Sequence, residues 1–179
     1  EKNLKKIKSN SIIFLLGYTK ILSQNFIKKN QETFVIHESK LPYGKGFSPV
    51  QWQVLKNRRQ IPVVLFKANK KVDNGNIIFT DKFFIKKTDL NDDIRRSQAQ
   101  TTIKIIDKFL SRYPNIPEKK QTGKNTFFRR RTKLDSQLDL NKSLMSQMNL
   151  LRIVDNEKYP AFFTYSNKKF IIKILKEKK

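Results

Sequence analysis

The chain has 179 residues, 37% hydrophobic and 30% charged, enough to bury one ordinary core and too apolar for a disordered polymer. Its 39 lysines and arginines against 15 acidic residues give a net charge of +24, which attracts phosphate-bearing partners. Cysteine is absent, so disulfides and thiolate metal sites are excluded, and no metal site is expected.

The basic residues are 30 lysines and only 9 arginines, scattered along the chain. Forked recognition of phosphates and bases favours arginine. Zinc-finger spacing, an aromatic nucleic-acid signature and a heptad register with a basic region are all lacking. A solvated basic surface is therefore preferred, and a nucleic-acid or polyanion binder stays as the alternative.

The Lys-rich opening and the apolar run 11–18 imitate the start of a signal peptide, but no small-residue cleavage site follows. The run is also too short to span a bilayer. It reads as a buried strand of a cytoplasmic protein without a membrane span. Because the chain begins with Glu1, a fragment or a processed product is expected.

Residues 19–30 carry Ile21, Leu22, Phe26 and Ile27 at helical spacing, and 33–37 is the next strand. A strand, a helix and a strand make a parallel βαβ step. The Pro/Gly-rich loop 38–47 would then lie at the carboxyl edge of the sheet, where α/β proteins place their chemistry. Ser48, Pro49 and Gln51 carry a helix-start pattern, with Ser48 as N-cap and Gln51 completing a capping box.

Strands are expected over 61–66 and 76–85, with Asp73 in the turn-rich segment between them. A long helix from Thr88 or Asp89 to about Arg112 follows, supported by Leu90, Ile94, Ile103, Ile106, Phe109 and Leu110 and stopped before Pro114. Residues 114–126 read as a linker. A helix over 141–154 and a hairpin over 161–175 turning at Ser166-Asn167 complete the chain. The fold class is α/β, part of a Rossmann-like parallel sheet with flanking helices, followed by a small α+β appendage. The hairpin could pair across a homodimer.

The candidate chemistry centres on His37, the single histidine, beside Glu38 at a strand end. Taken alone, His37 is equally a satisfied buried histidine. Asp73 lies in Val-Asp-Asn-Gly, whose residues are also simple turn formers. Gly44 and Gly46 permit close backbone approach, but Gly-Lys-Gly lacks P-loop spacing. Arg129, Arg130 and Arg131 could grip a diphosphate or form an ordinary charged run. Trp52 packs under the short helix or stacks on a flat ligand.

The block His-Glu-Ser-Lys-Leu-Pro-Tyr-Gly-Lys-Gly-Phe-Ser-Pro-Val-Gln-Trp at 37–52, with Ile61-Pro62-Val63 and Val72-Asp73-Asn74-Gly75 after it, resembles the formyltetrahydrofolate-dependent formyltransferases. The likeness is to methionyl-tRNA formyltransferase-like proteins of surface-polysaccharide pathways, and it continues through Arg129-Arg130-Arg131-Thr132 to Val154–Phe163. It implies transfer of a formyl group from N10-formyltetrahydrofolate to the amine of an amino sugar carried on a nucleotide. His37 would be general base and oxyanion partner, and Asp73 would orient it or shuttle the proton. Glu38, Ser39, Gly44, Gly46, Trp52, Val72 and Gly75 would line the substrate and donor site, with Arg129, Arg130 and Arg131 on the nucleotide's phosphates.

Two departures from the family pattern bear on activity. Val35 stands where the family has an asparagine that donates to the oxyanion, and losing one such donor costs on the order of 10²–10³ in rate. Residues 1–113 match only the later portion of the catalytic domain, so either its first strands lie outside this sequence or the protein is a reduced homologue. On that division 114–126 is a linker and 127–179 a helix-plus-hairpin appendage, and an inactive homologue is the second alternative.

Overall fold

The structure, a computed structural model, describes residues 6–20 and 22–177. β1 (Ile12–Leu16) runs parallel to β2 (Glu32–His37), in register from Ile12 opposite Glu32 to Leu16 opposite Ile36. The crossover between them holds α1 (Gln24–Lys29), which starts at Ser23, whose hydroxyl accepts from the Phe26 N–H at 3.2 Å. This helix is shorter than its apolar spacing suggests: Leu22 precedes it, and Ile21 lies outside the described residues.

β4 (Gln60–Lys67) pairs antiparallel with β2, and β5 (Ile77–Phe84) pairs antiparallel with β4. The sheet order is β1-β2-β4-β5, so the α/β class stands while the parallel pairing within this sheet is confined to β1 and β2. The reason lies in the connections. The connection through α1 starts β2 in the same direction as β1, whereas 38–59, although it contains a short helix, returns β4 antiparallel to β2, and β4 and β5 are joined by a nine-residue loop that reverses the chain.

Alternation along β2 gives the two faces of the sheet different roles. Phe34 and Ile36 join the main core with Ile61, Val63 and Leu65. α3 (Asn91–Leu110) covers that core through Ile94, Ile105 and Phe109, and α2 (Pro49–Leu55) through Val50 and Val54. Phe109 stacks edge-on against Phe34 and Phe14 at 4.5 and 5.2 Å. Val35 faces the other way, beside Leu41, Val64 and Phe66, and His37 follows on that same side.

α3 begins where the Leu90 N–H donates to the Asp93 carboxylate at 2.9 Å and ends ahead of Pro114. Its inward row is Ile94, Thr101, Ile105 and Phe109, while Ile103 and Leu110, expected to face the core, are exposed. The intervals of seven, four and four residues select one stripe, and Ile103 falls on the opposite side.

Residues 114–126 are extended and tied down along their length. Ile77 and Lys119 exchange two backbone hydrogen bonds at 2.7 and 2.8 Å, and Glu118 takes the Asn76 amide at 2.9 Å. Then β6 (Phe127–Phe128) pairs in parallel with the short β3 (Lys45–Gly46). The expected helix over 141–154 is two pieces, a 3₁₀ turn at Met145–Gln147 and α4 (Met148–Ile153). The hairpin forms as expected, with β7 (Ala161–Tyr165) and β8 (Lys168–Ile172) joined at Ser166 and Asn167, whose φ values of 47° and 61° suit a two-residue hairpin turn.

Candidate active site

Three segments far apart in sequence meet at the end of β2. His37 ends the strand on the face of Val35, and the glycine loop that follows carries Gly44 and β3. Opposite stands Asp73, in the connection between β4 and β5. The strap 118–128 closes the third side.

The His37 ring is buried, and its Nε2 lies 2.8 Å from the Gly44 carbonyl oxygen. A carbonyl only accepts, so Nε2 carries the proton and donates. That leaves Nδ1 as the basic nitrogen, and it faces the Asp73 Oδ2 across 3.8 Å. This is too far for a direct hydrogen bond. Two proton acceptors thus face one another in a largely desolvated gap, an arrangement that favours any group able to place N–H between them.

Asp73 is held from two sides. Its Oδ2 accepts the Gly46 N–H at 2.7 Å, and the Gln121 side-chain amide donates to the carbonyls of Asp73 and Gly75 at 3.0 and 2.8 Å. Gly75 lies so close to β4 that a Cβ there would fall 1.5 Å from the Lys67 carbonyl oxygen. Gly46, at φ 96°, would likewise drive a Cβ into the Phe128 carbonyl oxygen at 2.5 Å. Both glycines serve close packing of backbone on backbone.

The N–H groups of Gly44 and Gly46 are engaged within the protein. The Gly44 N–H donates to Thr126 Oγ1 at 2.8 Å and the Gly46 N–H is spent on Asp73. Ser48 is not the expected cap: it sits at φ 51° in the left-handed region, with no side-chain hydrogen bond to the helix. Pro49 at the first turn and the packing of Val50 and Val54 start α2 instead.

Glu38 turns its carboxylate onto α3, where the Gln98 amide donates to it at 2.7 Å. Burial pushes this carboxyl above its ordinary range, opposed in part by the Gln98 hydrogen bond. The Glu38 carbonyl takes the Gln53 amide at 2.6 Å, locking the loop to α2. Ser39 is fully buried with no partner for its Oγ, while Val72 is about half exposed, at 47%.

The arginine run divides. Arg129 pairs with the Asp135 carboxylate and lies 4.8 Å from the Trp52 ring, while the Trp52 indole donates to the Arg129 carbonyl at 2.8 Å. That pairing holds the Asp135 carboxyl well below the usual range, and it occupies a Trp52 face considered for a flat ligand. Arg131 is half-buried and donates to the Asp135 carbonyl at 2.7 Å. Arg129 and Arg130 are both exposed, but Arg130 faces no carboxylate among the described residues: its guanidinium lies 4.3 Å over Phe47 and donates to the Thr19 carbonyl at 3.4 Å.

Sequence reasoning missed Lys45, Gln98, Gln121, Thr126 and Phe128. Lys45 lay inside the recognised block without a role, and the others sit on a helix face, in the presumed linker or, for Phe128, just after it, where only contacts reveal them. Among the described residues there is no group of three or more His, Asp or Glu able to hold a metal, and no helix long and apolar enough to cross a membrane.

The chain is 29% identical over 177 residues to the bifunctional polymyxin resistance protein ArnA of Wigglesworthia glossinidia brevipalpis, covering 94% of this chain and 26% of that protein. It thus spans about a quarter of that relative's length. Methionyl-tRNA formyltransferase from Clostridium thermocellum superposes with a TM-score of 0.80 at 21% identity, over 94% of this chain and 73% of that one. WlaRD, a sugar 3N-formyl transferase solved in the presence of dTDP and 5-N-formyl-THF, gives 0.70 at 26% identity, over 88% and 58%. A family model described as formyl transferase matches residues 1–109, the stretch that carries His37 and Asp73, and the chain belongs to that family.

Proposed function

We propose that this chain transfers a formyl group from N10-formyltetrahydrofolate to the amine of an amino sugar carried on a nucleotide. The observation that carries the reading is the gap of 3.8 Å between His37 Nδ1 and Asp73 Oδ2, with the other ring nitrogen held by the Gly44 carbonyl. The residues present fit such substrates. Two facing acceptors suit an amine that must shed a proton, and the half-exposed Val72 lies one residue from Asp73 to offer apolar contact. The donor supplies a formyl carbon activated toward nitrogen nucleophiles.

An amine entering the gap donates one N–H to Asp73 and aims another at His37 Nδ1. As its nitrogen commits to the new amide bond, Nδ1 takes the proton, and the Gly44 carbonyl steadies the resulting imidazolium through Nε2. His37 then gives that proton to the N10 nitrogen of the donor as the bond from N10 to the formyl carbon breaks, so that tetrahydrofolate leaves neutral and the imidazole is restored. Asp73 stabilises the same positive charge from the other side. Val35 packs against Leu41 and Phe66 and donates nothing, so the protonated His37 is left to stabilise charge on the formyl oxygen. Support for a nucleotide-linked acceptor comes from Arg130, whose exposed guanidinium is the member of the run left to meet a phosphate.

Steady-state formyl transfer to nucleotide-linked amino sugars tests this directly. His37→Ala is expected to lower kcat by about 10²–10⁴ and Asp73→Asn by a comparable factor. Parent-like rates in both variants contradict the proposal.

A further inference from the structure

Lys45 is the one lysine buried among the described residues, with only 2% of its surface exposed. An ammonium leaves water at a cost of several kcal/mol unless fixed partners receive it. Burial accordingly pushes Lys45 below its ordinary value, while the charge of Asp73 pulls it back up. Its Nζ donates to Asn74 Oδ1 at 2.6 Å, one residue beyond Asp73.

Both residues of β3 therefore hold the same turn. The Gly46 N–H binds the Asp73 carboxylate and the Lys45 ammonium binds the Asn74 amide. The turn needs holding, because Asp73 occupies the left-handed region at φ 46°, which side chains other than glycine adopt at a cost. Gln121 secures only the carbonyls of Asp73 and Gly75.

We propose that Lys45 is a positioning residue whose ammonium grips the Asp73–Asn74 turn and fixes the Asp73 carboxylate opposite His37 Nδ1. It acts on proton transfer through Asp73 and not on substrate. The kinetic part rests on the acyl-transfer reading above, while the spectroscopic part does not.

The test is a double-mutant cycle of Lys45→Met with Asp73→Asn, read by kcat, KM and the 15N resonances of the lone imidazole. Lys45→Met alone is expected to lower kcat by about tenfold, with both KM values within about twofold. In the Asp73→Asn background the same change should lower the residual rate by less than about twofold, because the route through Asp73 is already cut. At fixed pH, Asp73→Asn should displace the His37 ring resonances with Lys45 present, and by less than about half as much in Lys45→Met.

An unchanged kcat in Lys45→Met, or an equal loss in both backgrounds, overturns the proposal. If Lys45→Met does not fold, Asn74→Ala takes its place, since it removes the acceptor oxygen. A several-fold loss of kcat supports the grip, and a parent-like kcat overturns it. A parent chain without formyl transfer counts against the acyl-transfer reading alone, and the ring resonances then decide the role of Lys45.

Discussion

The candidate-site end of the sheet and the segment 127–179 are held together in different ways. Around His37 and Asp73 the ties join distant residues: Gly46 to Asp73, Lys45 to Asn74, Gln98 to Glu38, Gln121 to Gly75 and Thr126 to Gly44. The side-chain bonds of residues 139–147 are local, such as Gln147 to Asp139 and Ser146 to Ser143. A small core of Leu138, Leu151, Val154 and Ala161 sits under the hairpin, yet Phe170 and Ile171 remain exposed on it. Placing two acceptors across a fixed gap requires cross-braces between segments, whereas a hairpin needs only its turn and one covered face.

The comparison can be broken most severely in the core that both regions lean on. Phe109→Ala removes the ring packed between Phe14 and Phe34 and should cost about 3–5 kcal/mol in denaturant unfolding. Next comes the strap. Gln121→Ala leaves the Asp73 and Gly75 carbonyls without their donor and should cost about 1–3 kcal/mol, with a fall in kcat. A stability loss without a kinetic loss would show that the strap supports the fold and not the gap.

Glu38→Gln sharpens the picture through pH. Burial raises this carboxyl, so the folded chain holds its proton to higher pH than the unfolded chain does. Stability is therefore lost as pH climbs from the ordinary carboxylate value through the raised one. The glutamine keeps an oxygen for Gln98 and cannot ionise, so the variant should be more stable than the parent at pH 7 and should match it below about pH 4. The smallest effect belongs to the segment 127–179: Ile171→Thr, on the exposed face of β8, should change stability by no more than about 0.5 kcal/mol.

Local signals in the sequence carried much of this fold. The apolar runs located β1, β2, β4 and β5, Pro114 bounded α3, and Ser166-Asn167 marked the hairpin turn. The block from His37 to Trp52 pointed to one site because its residues lie close together along the chain. Less legible was whatever depends on contact at a distance. Nothing local marks Gln98 or Gln121 as braces, and a segment with prolines, a glycine and lysines reads as a linker even when it walls a site. The arginine run shows the same limit, since Asp135 occupies Arg129 through a turn that composition does not reveal. Ser48 misled for a related reason: its type suits a cap, but the backbone leaving Gly46 and Phe47 enters α2 from the left-handed region.

The central claim is that His37 presents an unprotonated Nδ1 to Asp73, and a single histidine makes it directly measurable. Two-bond 1H–15N correlation spectra of the ring, taken where the imidazole is neutral, should show Nε2 as the protonated nitrogen and Nδ1 as the bare one. A spectrum with the proton on Nδ1 would contradict the account, because no base would then face the carboxylate.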